Sequence, residues 1–181
     1  MESPPDDKVT MKGGFNFLLF AAQVHAACIW PFLRSGMGVD ALRAHGALAF
    51  VLMLLCVAAG AESMLIYTGV WIIFAARMRA KADESQHSRY TGFPSLAIRI
   101  PGFRTEMKAK AAECLLCLFV GILLTPLDEA VGLFVMFGCL SLGILEGIHR
   151  EMNRMQVRRM RDAHIEQTML AERFRGERHD Y

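Results

Sequence analysis

Long apolar runs alternate with compact charged blocks along this chain, and almost no charge falls between residues 13 and 33, 46 and 76, or 111 and 127. The first run, 14–33, holds about 20 residues; at about 1.5 Å per helical residue it spans roughly 30 Å, the thickness of a bilayer core. The second, 46–76, has about 31 residues and is interrupted near its middle by Gly60-Ala61-Glu62-Ser63. Two spans with a turn need roughly 40 residues or more, so this run reads as one tilted helix that continues beyond the membrane. A break at Gly60 is the alternative. Two further runs, 111–127 and 130–148, flank Pro126, Asp128 and Glu129, a turn signal that makes them a helical hairpin. After Gly147 no Gly or Pro occurs until Gly176, so the last helix is expected to continue for several turns past its apolar part.

The pattern predicts an all-α integral membrane protein with about four transmembrane helices in two hairpins and a long C-terminal cytoplasmic helix. Its parts are an N-terminus (1–13), a first helix pair (14–76), a basic interfacial loop (77–110), a second hairpin (111–148) and an amphipathic cytoplasmic tail (149–181). Composition agrees: 54% of the 181 residues are hydrophobic, too apolar for an ordinary soluble domain. The net charge of +2 conceals segregation, because Lys and Arg cluster in the loop 77–110 and in the tail. With both termini inside, eighteen of the twenty Lys and Arg fall on the cytoplasmic side and only Arg34 and Arg43 face out. That bias favours an inner-membrane protein of a bacterial cell, crossing several times.

Five cysteines all lie within apolar stretches, which speaks for packing rather than a secreted disulfide framework. Cys114 and Cys117 have C-x-x-C spacing, but apolar flanks and the lack of a second ligand pair favour packing over metal or redox chemistry. Glu62 is a carboxylate in an apolar run, where it must pair, take a proton or line a polar path, unless tilt brings it to an interface. Gln23 and His25 add polar groups to the first run and suit a relay or an interhelical hydrogen bond. A bis-histidine haem site fits poorly, since His45 and His149 fall at opposite boundaries. No cofactor or metal is implied. Gly143 and Gly147 form a G-x-x-x-G pair that permits close helix contact.

Two surfaces suit docking or lipid headgroups. The loop carries Arg89, Tyr90, Phe93, Arg99 and Arg104 among breakers at Gly92, Pro94, Pro101 and Gly102. The tail carries Arg150, Arg154, Arg158 and Arg161 at helical spacing, with Ile148, Met152, Met155, Met160, Ala163, Leu170 and Phe174 as apolar positions. Acidic residues from Glu166 onward disfavour nucleic acid as a partner. Nucleophile, phosphate-loop and zinc-protease motifs are absent from the polar segments. The sequence therefore points to a non-enzymatic structural or assembly subunit of a membrane complex, whose partners are the bilayer and other membrane proteins or further copies of itself. A small oligomeric proton-coupled transporter or ion carrier using Glu62 is the alternative. A lipid enzyme would need polar groups gathered at one depth, which the spread of Glu62, Glu113, Glu146 and the histidines does not provide.

Overall fold

A computed structural model describes residues 7–38, 40, 42–81, 92–94, 96–99, 102 and 105–177. The described residues are helical, apart from one isolated antiparallel bridge between Ser35 and Phe93. The helices are α1 (Asp7–Ala27), α2 (Trp30–Leu33), α3 (Arg43–Ala58), α4 (Met64–Ala80), α5 (Glu106–Leu124) and α6 (Glu129–Glu177), with a 3-10 turn at Ala97–Arg99. The chain divides into two compact units, Met1–Leu145 and Glu146–Tyr181.

In the first unit the run 46–76 is two helices, not the single tilted helix expected from its length. The break falls at 59–63, where Gly60 takes φ +102°, a left-handed conformation that L side chains rarely adopt. Residues 59–63 therefore turn α4 back along α3. Length misled because α3 and α4 are short, at 16 and 17 residues, or about 24 to 26 Å each. The second hairpin turns at 125–128, where Asp128 Oδ1 accepts from the Val131 N–H at 2.9 Å and caps the start of α6.

The first apolar run also departs from expectation. α1 ends at Ala27, and after a turn at Cys28–Ile29 the short α2 leads the chain back. Two links set the direction of α1 against α3. Gln23 meets His45, and five residues on, Cys28 Sγ meets the Ala49 carbonyl. Both partners advance together, so α1 and α3 run parallel; in antiparallel helices the partner of Cys28 would precede the start of α3. Consecutive parallel helices need a return path, which α2 and residues 34–42 supply. The run 14–33 thus enters the bundle and turns back within it.

Close helix approach occurs at glycines other than the G-x-x-x-G pair. A Cβ at Gly121 would lie 2.6 Å from the Met136 backbone nitrogen, and one at Gly132 or Gly138 would collide with Thr125 or Ile29. At Gly143 and Gly147 it would meet nothing within 4 Å. The core joins Ala26, Ala27, Cys28, Ile29 and Trp30 to Ala49, Met53, Met64, Trp71, Cys117 and Leu142. Around it Leu54, Leu55, Leu65, Ile66, Ile73, Leu115, Phe119, Ile122 and Leu140 are exposed. Among the described residues one helix, α6, is long and apolar enough to cross a membrane, and only a third of its apolar stretch is buried.

In the second unit α6 continues as a single helix to Glu177, with every described side chain from 151 to 175 exposed.

Candidate functional site

The reversal at Cys28–Ile29 breaks a helix inside the bundle and leaves backbone carbonyls that α1 cannot bond. Unpaired buried carbonyls are costly, and α4 supplies the missing donors. Trp71 Nε1 donates to the Ala27 carbonyl at 3.0 Å, and Tyr67 Oη donates to the Cys28 carbonyl at 3.0 Å. These positions are one helical turn apart on α4, so one face of that helix caps the whole break. Phe32 of α2 packs against Tyr67 and Phe74, with ring centroids 5.3 and 5.2 Å apart, which holds the returning arm on the same face.

Polar pairs surround this break. His25 Nδ1 and Ser141 Oγ form a 2.7 Å hydrogen bond, and the His25 ring sits edge-on to Phe134 at 4.6 Å. His45 Nε2 donates to Gln23 Oε1 at 3.2 Å. Just after α2, Arg34 is buried with Glu113 of α5: Nε and Nη2 donate to Oε2 at 2.8 and 2.7 Å, and the Glu113 side chain is fully enclosed. The Arg34 guanidinium also lies 5.7 Å from the centre of the Trp30 ring, within cation–π range. The next residue, Ser35, exchanges both backbone hydrogen bonds with Phe93, at 2.9 and 2.7 Å.

That bridge overturns one expectation. Residues 34–38 and 92–94, which belong to segments read as facing opposite sides, meet at the same end of the first unit. This loop end also gathers the start of α3 and the end of α4, where Met37, Leu42, Trp71 and Met78 line a common cleft. The opposite, turn end holds residues 59–63 and 125–128, where Ser63 and Asp128 line a common groove. The nearby Ser63 hydroxyl, followed by the Val131 N–H, holds the Asp128 carboxyl below its ordinary range, because donors beside a carboxylate favour its charged form.

The residues singled out in the sequence do not form one cluster. Gln23 and His25 lie in the last turns of α1 before its break, each with its own partner, whereas Glu62 is exposed in the 59–63 turn. Phe93 and Arg99 are exposed near the loop end; Arg89, Tyr90 and Arg104 lie outside the described residues. In the second unit Arg150 pairs with Glu146 at 3.3 Å and Arg154 with Glu151 at 3.7 Å, while Arg158 and Arg161 are exposed. Among the described residues no three of His, Cys, Asp and Glu gather as a metal site requires.

The Arg34–Glu113 pair was missed. A lone acid inside the apolar run 111–127 is a signal that a partner is needed, but nothing in the spacing identifies a residue 79 positions away. Compared with protein-family models, with curated proteins and with solved structures, the chain matches none.

Proposed function

We propose that this chain is a multi-pass membrane protein and a non-enzymatic assembly subunit, which binds membrane-protein partners through its C-terminal helix and basic loop. The observation that carries the docking reading is the second unit. On a helix of 100° per residue, Met152, Met160, Ala163, Leu170 and Phe174 fall on one side with Arg159 at its edge, and Arg150, Arg154, Arg158 and Arg161 fall on the opposite side together with Val157 and Ile165. The large apolar members of that stripe are all exposed, with Phe174 at 71%. A helix alone in water gains nothing from such a stripe, whereas a partner surface that covers it does.

The membrane reading draws on the exposed apolar belt and on charge. Between Arg43 and Arg77, and again between Lys110 and Arg150, the sequence has no Lys or Arg. The turn end therefore carries Glu62, Asp128 and Glu129 without a basic residue, whereas the described basic residues Arg43, Arg77, Arg79 and Lys110 belong to the loop end of the first unit. In this reading the α3–α4 and α5–α6 hairpins supply four crossings and α1–α2 re-enters from the loop side. Both termini and every Lys and Arg then face the cytoplasm of a bacterial inner membrane. The test is co-purification in mild detergent with residues 156–181 deleted, or with Leu170→Asp and Phe174→Asp. Co-eluting membrane proteins are expected to be lost, and their undiminished recovery from all variants overturns docking through the tail. Recovery of the full chain in the supernatant after detergent-free ultracentrifugation overturns the membrane reading.

A carrier is the second reading, favoured by the broken helix with His25 and Ser141 beside it, since discontinuous helices frame many transport sites. Glu62, at the turn end, is not near that pair. Proteoliposomes separate the two readings: a carrier loses flux with His25→Ala, whereas an assembly subunit keeps its partners.

A further inference from the structure

Between the two hairpins of the first unit runs a groove of about 420 Å³. Phe32, Ile66 and Val70 form one wall and Leu116, Val120 and Val135 the other, and its lining is almost wholly apolar. Ser63 and Asp128 also line it, and both belong to the turn end. The groove is therefore greasy along its length and negative at one mouth. Asp128 accepts the Val131 N–H there at 2.9 Å, and Glu62 and Glu129 add charge beside it. No Lys or Arg in either turn offsets them.

The geometry points to a lipid site: the groove takes one acyl chain of an amine-headed zwitterionic phospholipid, whose ammonium group lies against the Asp128 carboxylate. The site rests on the membrane reading above. Two observations select this occupant. A concave apolar channel of this volume lies in the range of small-molecule sites and offers an alkyl chain contact on both sides. The carboxylates at its mouth attract an ammonium and repel a headgroup of net negative charge. Phosphatidylethanolamine satisfies both requirements. Phosphatidylglycerol with the same acyl chains satisfies only the first, so the pair isolates the contribution of charge.

The test is native mass spectrometry of the purified full chain in mild detergent, titrated with equimolar phosphatidylethanolamine and phosphatidylglycerol of identical acyl composition. Wild type is expected to retain the amine lipid about five-fold over the glycerol lipid, the ratio given by about 1 kcal/mol for one charge near a membrane surface. Asp128→Asn brings that ratio close to one while retaining lipid. Val120→Trp fills the groove and removes retention of both. Ile66→Trp does the same from an exposed position that folding tolerates, so a misfolded Val120 variant does not decide the result. Equal or greater retention of phosphatidylglycerol by wild type overturns the proposal, and so does unchanged retention in a folded groove-filling variant. The ultracentrifugation result judges the membrane reading separately, since it does not depend on which lipid stays bound.

Discussion

Arg34 and Glu113 are the residues on which the first unit's interior chemistry turns. Transferring an arginine and a glutamate from water is costly, and two charge-assisted hydrogen bonds to one carboxylate oxygen offset that cost. Glu113→Gln leaves the guanidinium buried without its counter-charge and is expected to destabilise by about 3–5 kcal/mol. Replacing both residues, as Arg34→Met with Glu113→Leu, is expected to recover most of that loss. Thermal unfolding in detergent measures both, and a single substitution as mild as the double one contradicts the pairing. Tyr67 and Trp71 act through a different cost. Tyr67→Phe keeps the ring but removes the donor, leaving the Cys28 carbonyl of the broken helix unpaired at about 1–3 kcal/mol. The same unfolding measurement reads it.

At the level of elements, glycine separates contacts inside the chain from positions it leaves open. Gly121 and Gly132 lie where α5 and α6 approach so closely that a methyl group has no room. Gly121→Ala is expected to cost about 1–3 kcal/mol as overpacking. Gly143→Ala faces open space and is expected to be neutral, or to gain up to about 1 kcal/mol from helix propensity. Unfolding midpoints of the two variants compared side by side check the contrast. A destabilising Gly143→Ala instead identifies that face as covered by a neighbouring chain. Gly60 is a different case: its positive φ makes the turn between α3 and α4, a break that the sequence offered as the alternative and that the length of the run argued against.

For the first unit as a whole, the decisive relation is which loops share an end. Single cysteines, introduced after replacing the five native ones, provide a direct assay with a membrane-impermeant thiol reagent. Cysteines at Glu62 and Leu127 are expected to label from outside intact cells. Cysteines at Gly38 and Phe93 are expected to label only after the membrane is opened. Labelling of Gly38 and Phe93 from opposite sides contradicts the Ser35–Phe93 bridge. Labelling of all four from one side contradicts the two-hairpin arrangement.

The sequence by itself determined that the chain is helical and strongly apolar, that a turn falls at Pro126, and that the last helix runs on without a stop. Each of these follows from local information: periodicity, breaker residues and charge spacing act within a few turns of chain. It also marked His25, Gln23 and Glu62 as polar groups in apolar surroundings, but could not tell that two lie beside a broken helix and the third in a turn. The reversal at Cys28–Ile29 was illegible because the donors that make it affordable, Tyr67 and Trp71, are about 40 residues away. Arg34 looked like an ordinary loop cation until Glu113 came against it, and the segment after α2 looked as though it lay opposite the basic loop until Ser35 met Phe93. Tertiary structure decided these points because a buried charge or an unbonded carbonyl is tolerable only with its partner in place, and chain folding alone sets where that partner stands.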